Sequence, residues 1–454
     1  MAQYNAAAEN EAAIDRQSLT QHDLDEIVER HRRFLAHEKD GVWASFKLMN
    51  LSYLDLSDRD LRGADFTGAD MSNTRLTGAN LTDAIMFAVD LRQANLSRAA
   101  MHRVDLRGSS LRRANLSHAS LVDADLRAGR LYNRDSHGEY QTVRNKQSLT
   151  DLAAAILTGS DLTHAKLGDA LIIETDMTDA NLSAVSFERA DMTSSILTGA
   201  NMANCDLSDT NMTDVILHGA ILTGARLNHT NLTGADLVCA VLDGVDFSQT
   251  DISGATVPKE IEELEGNLAT ILEEHHAWVT HKGAKGARAE LPRYILSEQK
   301  FQSVNLSMAN LAYSKFRNTD LSKAHLIMAD LSFCDLRGAD LSYCDLRGAG
   351  LNRANLAGAN LTGARLGPVP MEGTVNREWT TNLQHTRLNA AEMRGANFEA
   401  ANLEGADLTD AALNDCDMHR SLLVDANLTG ADMRGVDLTD ADLRGAIGLK
   451  RDRP

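Results

Sequence analysis

The chain has 454 residues and a net charge of −19, from 64 acidic and 45 basic residues, which disfavours direct binding to nucleic acid or to an anionic membrane. No stretch approaches the roughly 20 apolar residues that span a bilayer. The N-terminus is polar rather than basic and apolar, and the scattered cysteines form no disulfide framework. The sequence therefore predicts a soluble, cytoplasmic protein without a signal peptide.

The first predicted element is an amphipathic helix at about residues 17–38, in an N-terminal segment, 1–45, that opens with a polar tail. Apolar residues recur on one face of this helix at the spacing of helical turns. They are Leu24, Ile27, Val28, His31 and Leu35.

A five-residue repeat runs through the chain from Phe46, which stands at the third position of its repeat. Its first position holds Ala or another small residue, its second is commonly Asp or Asn, and its third holds Leu, Met, Phe or Ile. A period of five is neither that of a helix nor that of a strand, so each repeat starts a new copy of one structural element. In an extended segment the first and third positions face inward and the second and fourth face water, while the fifth turns a corner. The sequence predicts an all-β solenoid.

The register of the repeat runs in four stretches. The first solenoid, 46–257, contains 46–131 and 152–252, and the second, 291–454, contains 291–366 and 388–443. Loops are predicted at 132–151 and 367–387, where the register shifts, and a helical segment at 258–290 separates the two solenoids.

This second helical segment repeats the first at a constant offset. Its predicted helix, about 259–282, carries Leu268, Ile271, Leu272, His275 and Val279 in the same pattern. We interpret the chain as an internal duplication of helix plus solenoid. A solenoid end exposes unpaired edges and apolar core, so the first helix is predicted to cap one. The second helix either caps a separate solenoid or is inserted between stacked halves, which leaves one continuous rod and two jointed rods as alternatives.

The repeats Ala64-Asp65-Phe66-Thr67-Gly68 and Ala359-Asn360-Leu361-Thr362-Gly363 resemble the pentapeptide-repeat family. The duplicated helices resemble those of large bacterial members of that family. The resemblance implies a right-handed quadrilateral β-helix with four repeats per coil.

Two hypotheses for function follow. The first is a non-enzymatic scaffold for an unidentified protein partner, which would bind through the solenoid faces and the two loops. Aromatic residues and arginine are enriched at binding hot spots, and the loops carry Tyr140, Arg144, Arg377 and Trp379. These side chains could equally tuck against the solenoid and bind nothing.

The alternative is a DNA mimic, because the resemblance extends to members that bind DNA gyrase through an acidic rod. Residues 152–257 contain 14 acidic and 3 basic residues, a net charge of −11. The candidate residues are Asp176, Asp191, Asp206 and Asp236. Repeat spacing is expected to place Asp176 and Asp236 on one wall, with Asp191 and Asp206 on its neighbours. The acidic residues also have a simpler explanation, since Asp is favoured at the second position of the repeat.

Catalysis, cofactors and metals find no support in the motifs of the chain. Four cysteines occupy the inward first position, where a thiol acts as a small apolar group, and Cys239, at a corner, is the one candidate for an exposed thiol. His31 and His37 recur as His275 and His281, but rings six residues apart on a helix diverge too far to share an ion. We expect His31 and His275 to form hydrogen bonds against the capped coil.

Overall fold

The computed structural model describes residues 16–129, 132–134, 140–142, 149–371 and 378–449. The chain forms two compact lobes. The first lobe comprises Met1–Asp236 and Ala240–Ala255, and the second comprises Leu237–Cys239 and Thr256–Pro454. Each lobe combines one α-helix with stacked coils of the five-residue repeat.

Helix α1 spans Gln21–Leu35, which is shorter than the predicted 17–38. A capping box fixes its start: the Asp23 N–H donates to the Thr20 hydroxyl at 3.2 Å and the Thr20 N–H donates to the Asp23 carboxylate at 3.0 Å. The face with Leu24, Val28 and His31 is buried. Gln21 exchanges two hydrogen bonds with the backbone of Asp55, so the helix lies over the first coil, as the sequence predicts.

Helix α2 spans Leu268–Thr280 and follows a single 3₁₀ turn at Ile261–Glu263. The predicted helix at about 259–282 is therefore interrupted. The break occurs where Gly266 adopts a φ of 111°, a conformation outside the helical region. Asn267 then starts α2, and its Oδ1 accepts the N–H of Ala269 at 2.8 Å. Apolar residues of α2 pack against the core of the second lobe.

The coils are held together by a ladder of parallel bridges between second-position residues 20 positions apart. One such series is Ser45, Asp65, Ile85 and Asp105. Four repeats therefore complete one coil in each lobe, and we call each such series of bridged residues a wall. Each repeat contributes one bridged residue, and a turn follows it. Among the described residues, strands longer than one residue occur only outside the coils.

The corners of the coils are β-turns. In the repeat at Phe66, the N–H of Ala69 donates to the Phe66 carbonyl at 2.9 Å and Gly68, at the fifth position, has a φ of 66°. Positive φ at the third residue of a turn is the geometry of type II. Arg103 and Tyr313 adopt the same conformation at equivalent corners, because bonds to the next coil hold the backbone there in spite of the steric cost.

The core of each lobe is built from the third-position side chains, such as Leu51, Leu56 and Leu61, all fully buried. Burying one leucine contributes about 1.5–3 kcal/mol, so the stacked rows dominate the stability. The first position also accepts polar residues. There the hydroxyl of Thr175 donates to the Leu152 carbonyl of the preceding coil at 2.8 Å, and the thiol of Cys205 donates likewise to Leu182.

The two predicted loops contain antiparallel hairpins. Strand β1, Tyr132–Arg134, pairs with β2, Tyr140–Thr142, and β3, Val369–Pro370, pairs with β4, Glu378–Trp379. The ladder of parallel bridges continues across each hairpin insertion, because Ser110 is bridged to Asp151 and Gly350 to Asn382.

The predicted second loop, 367–387, is too long. Asn382 is already bridged and Leu383 is fully buried, so the fourth stretch starts one repeat before Leu388. The pattern is masked because Thr381 and Thr386 replace the usual Ala at the first position. Their hydroxyls donate to carbonyls of neighbouring repeats, as at 3.1 Å from Thr386 to Leu351, and are satisfied inside the core.

Candidate partner-binding surfaces

The predicted acidic residues lie on three walls of the first lobe. Asp176 and Asp236 belong to one wall and are separated along it by Ile196 and Ile216, as predicted. Asp191 lies on the adjoining wall. The prediction for Asp206 was wrong. Asp206 follows Asp176 by one and a half coils, so it lies on the opposite wall and not on a neighbouring one.

These carboxylates also hold the local backbone in place. Oδ1 of Asp176 accepts the N–H of Thr178 at 3.0 Å, and Oδ1 of Asp191 accepts the N–H of Thr193 at 3.1 Å. The same bond from the second position to the N–H two residues later recurs throughout the coils. It is an Asx turn, which explains why this position selects Asp and Asn rather than Glu.

Two of the four aspartates face basic groups. Arg226 contacts Asp206 at 2.5 Å, and Nε2 of His218 lies 2.7 Å from Asp236. Burial alone would raise the pKa of Asp206, but hydrogen bonds from Ser208 and the Arg226 guanidinium outweigh it and lower that pKa below its usual value. The four candidate aspartates are therefore dispersed over three walls, two of them lie against basic groups, and Ile196 interrupts one wall with a side chain 37% exposed.

The predicted loop residues have different outcomes. Tyr140 lies in β2, paired with Arg134 of β1, whereas Arg144 and Arg377 lie outside the described residues. Trp379 lies in β4 and its side chain is 51% exposed.

The indole of Trp379 is fixed against a corner of the second lobe. Its Nε1–H donates to the Gly348 carbonyl at 2.8 Å. A Cβ on Gly348 would lie 2.8 Å from Cδ1 of the indole, so glycine is needed for this close approach. In the first lobe, Nε1–H of Trp43 donates to the Gly63 carbonyl at 2.9 Å and that side chain is 39% exposed. Both tryptophans are thus held rigidly but remain accessible.

The hairpins return to their coils through the same contact. The N–H of Gly108 donates to the Thr150 hydroxyl at 3.0 Å, and the N–H of Gly348 donates to the Thr381 hydroxyl at 2.9 Å. Both threonines are fully buried. The hairpin bases are therefore anchored in the core rather than attached loosely to the surface.

An open groove of about 570 Å³ lies beside β4 in the second lobe. It is lined by Met328, Ala329, Asp330, Ser332, Gly348, Ala349, Gly350, Asn352, Glu378, Trp379, Thr380, Asn382 and Asn402. Apart from Trp379, the sequence analysis missed these residues. One signal was present, because Gly350 stands at a second position, where Asp or Asn is usual.

The two cap histidines are buried and bonded to the coils, as predicted. Nδ1 of His31 accepts the N–H of Ala44 at 3.1 Å and its Nε2–H donates to the Arg62 carbonyl at 3.1 Å. Nδ1 of His275 accepts the N–H of Ala289 at 3.0 Å. With Nδ1 used as an acceptor, the neutral ring fits both sites. Burial lowers the pKa of each imidazole.

One cluster of possible metal ligands occurs in the described residues, formed by Asp417, His419 and Asp437. Nδ1 of His419 lies 2.6 Å from Asp417 and its Nε2 lies 3.3 Å from Glu399. The hydrogen bond to Asp417 raises the pKa of His419, with a further contribution from Glu399. A ring that contacts carboxylates through both nitrogens favours the protonated form, which does not bind metal.

All five cysteines are free and buried. Burial raises the pKa of the Cys205, Cys344 and Cys416 thiols to about 12, so these thiols are unreactive. The prediction that Cys239 is the exposed thiol was wrong. Its corner belongs to the second lobe, where the side chain is only 3% exposed.

Neither helix of the described residues is long and apolar enough to cross a membrane.

Comparison with known proteins identifies the repeat. The family model of pentapeptide repeats matches residues 50–86, 84–127, 148–183, 175–214, 220–256, 296–326, 329–367, 381–420 and 411–447. No curated protein matches the chain.

Several solved structures are similar. HetL, a pentapeptide repeat protein involved in heterocyst differentiation regulation from the cyanobacterium Nostoc sp. strain PCC 7120, is 22% identical, with 92% of this chain and 94% of HetL covered and a TM-score of 0.14. A pentapeptide repeat protein from the thylakoid lumen of Arabidopsis thaliana is 32% identical over 19% of this chain and 66% of its own, with a TM-score of 0.16. QnrB1, a plasmid-mediated fluoroquinolone resistance protein, is 15% identical over 52% of this chain and 98% of its own, with a TM-score of 0.22.

The family model indicates no enzyme family, and pentapeptide repeats imply a right-handed quadrilateral β-helix. Because the repeat model covers more than half of the chain, the protein belongs to the pentapeptide-repeat family.

Proposed function

We propose that the protein is a non-enzymatic scaffold that binds a protein partner through the hairpins and walls of its two lobes. We also propose that the coils of each lobe wind as a right-handed quadrilateral β-helix and that the chain arose by internal duplication. The proposal includes a cytoplasmic location, which the free thiol state of all five cysteines supports.

The observation that carries the proposal is the setting of Trp379. An exposed aromatic side chain costs little entropy to immobilise on binding when it is already fixed. Trp379 is half exposed, yet its Nε1–H bond to Gly348 and its position in β4 hold it in one place. Tryptophan is also the residue type most enriched at the energetic centres of protein interfaces.

DNA mimicry is less well supported. A mimic needs a regular array of uncompensated charges along one surface. Asp206 faces Arg226, Asp169 is paired with Arg189 at 2.8 Å, and isoleucines separate Asp176 from Asp236.

The test is affinity capture from the source organism's lysate with four full-length proteins: the wild type, Trp379→Ala, Trp43→Ala and a variant with the four candidate aspartates changed to Asn. Captured proteins are identified by mass spectrometry and their binding is then measured with purified components. We expect a partner whose affinity falls at least about tenfold, or 1.4 kcal/mol, in Trp379→Ala but not in Trp43→Ala. Retention of gyrase subunits that is lost only in the Asn variant would instead establish the DNA mimic.

A further inference from the structure

The groove beside β4 exists because one row of side chains is interrupted. Asp330, Gly350, Asn382 and Asn402 are consecutive members of one wall. Gly350 is the only glycine among the bridged second-position residues of the described chain. A Cβ at Gly350 would lie 3.4 Å from Oγ of Ser332 and 3.7 Å from Oδ1 of Asp330, so any longer side chain would enter the groove.

Three asparagine side chains line this space. Oδ1 of Asn382 accepts the N–H of Gln384 at 3.1 Å, and Oδ1 of Asn402 accepts the N–H of Glu404 at 3.1 Å. Oδ1 of Asn352 accepts the hydroxyl of Ser332 at 2.8 Å. The backbone N–H donors fix the oxygen end of the Asn382 and Asn402 amides, so their Nδ2 groups are available to a ligand as donors. The Ser332 hydroxyl can donate or accept, so Asn352 can present either end of its amide to the groove.

Acceptors and an aromatic surface complete the groove. Asp330 uses Oδ1 to accept the N–H of Ser332 at 3.0 Å, and a carboxylate retains further acceptor sites on its second oxygen. Trp379 forms one side with its half-exposed indole. Glu378 lies at the edge, 3.5 Å from Arg420.

This combination selects a ligand class. A purely apolar ligand would leave the amides and Asp330 without partners, at a cost for each desolvated group. An anionic ligand would face the carboxylates of Asp330 and Glu378. A sugar ring has hydroxyls that both donate and accept, and an apolar C–H face that can lie on an indole. The volume of about 570 Å³ lies within the range of small-molecule sites, roughly 300–1,000 Å³.

We propose that this groove is a binding site for a neutral saccharide. One ring stacks on the indole of Trp379, while its hydroxyls bond to Asp330 and to the amides of Asn352 and Asn382. Gly350 keeps the site open, and Gly348 allows the indole to lie against the corner. The proposal does not depend on the scaffold function, since it concerns a different ligand.

The test uses the full-length protein and four neutral probes: cellohexaose, laminarihexaose, chitohexaose and maltohexaose. Binding is measured by isothermal titration calorimetry. Gly350→Asn restores the usual residue of the wall and fills the groove, and Ala412→Asn introduces the same residue at a second position of another wall. Trp379→Ala removes the aromatic surface, and Trp43→Ala is its matched control.

We expect at least one probe to bind the wild type with a Kd of about 1 mM or below. Affinity should fall at least about tenfold in Gly350→Asn and Trp379→Ala, and should be unchanged in Ala412→Asn and Trp43→Ala. Gly350→Asn should fold normally, because Gly350 has no positive φ and its added Cβ makes ordinary contacts.

The proposal is overturned if none of the four probes binds, or if Gly350→Asn binds as tightly as the wild type. It is also overturned if hexalysine, and no saccharide, binds in a manner that Gly350→Asn abolishes, because the groove would then take a basic peptide. Capture of a protein partner by Gly350→Asn would show that loss of saccharide binding leaves the scaffold function intact.

Discussion

The two cap helices carry the same residue pattern but cover their lobes to different degrees. In α1, Leu24 and Val28 are 0% and 5% exposed, and both ring nitrogens of His31 form hydrogen bonds. In α2, His275 is the only buried residue, and Leu268, Ile271 and Leu272 are only partly buried against the core. The spacing of apolar residues specifies which face of each helix turns inward. How deeply that face is buried depends on the coil against which the helix packs.

This difference predicts unequal stability of the two caps. Global unfolding of a repeat protein is not a single transition, so the free energy of local opening, obtained from native-state hydrogen exchange, is the quantity to compare. We expect the amides of α1 to open at a higher free energy than those of α2.

The largest expected effect is that of Leu24→Ala. Removing a fully buried leucine costs roughly 2–5 kcal/mol, so protection of the α1 amides should fall by about that amount. The matched change, Leu268→Ala, removes a side chain only partly buried against its core and should cost about 1 kcal/mol. Equal losses from the two variants, measured by hydrogen exchange, would contradict the difference in burial.

The sequence predicted both helices because the relevant signals are local. The apolar face of α1 and the histidine that bonds to the coil are specified within about 15 residues of chain. The five-residue register is equally local, since each repeat carries its own inward side chains. Even the missed start of the fourth stretch, at Leu383, is a local substitution of Thr for Ala at positions 381 and 386.

The candidate site was harder to predict because it is made by contacts between distant segments. The groove requires that Gly350 leave space on a wall and that a hairpin bring Trp379 back onto Gly348. Neither the pairing of β3 with β4 nor the return of the hairpin follows from a period of five. The wall of Asp206 was predicted wrongly for a different reason. With four repeats per coil, the wall of a residue follows from its exact repeat count, and an error in that count moves the residue to another wall.

The second expected effect is a loss of both caps in acid. Burial lowers the pKa of His31 and His275 in the folded protein, below the value of about 6.5 in an unfolded chain. The unfolded state therefore binds the proton first. Each cap should have its full stability above about pH 6.5 and lose it as the pH falls through the folded pKa. Protonation of Nδ1 places a donor against the N–H of Ala44 or Ala289.

Protection factors of the α1 and α2 amides, corrected for intrinsic exchange, should be constant above about pH 6.5 and fall as the pH is lowered from there through the folded pKa. The His31→Leu variant is the control, because it has no group to titrate in the first cap. Its α1 protection should be lower at neutral pH but nearly independent of pH, whereas α2 should respond as in the wild type. A persistent acid response of α1 in His31→Leu would assign the effect to another group.

The smallest expected effect concerns the first turn of each helix. The hydroxyl of Thr20 and the carboxylate of Asp23 satisfy each other's backbone N–H groups, whereas Asn267 satisfies only the N–H of Ala269. Loss of a cap costs about 0.5–2 kcal/mol. Thr20→Ala removes two hydrogen bonds: the one that the hydroxyl accepts from the Asp23 N–H at 3.2 Å and the one that it donates to the Asp23 carboxylate at 2.7 Å. We therefore expect Thr20→Ala to reduce protection of the first turn of α1 more than Asn267→Ala reduces that of α2.

Because Thr20 is exposed, neither variant should alter protection in the coils, and exchange of the core amides serves as the internal reference. A larger loss in Asn267→Ala would mean that α2, with fewer buried contacts, depends on its cap more than α1 does, and would reverse the proposed order at the helix ends.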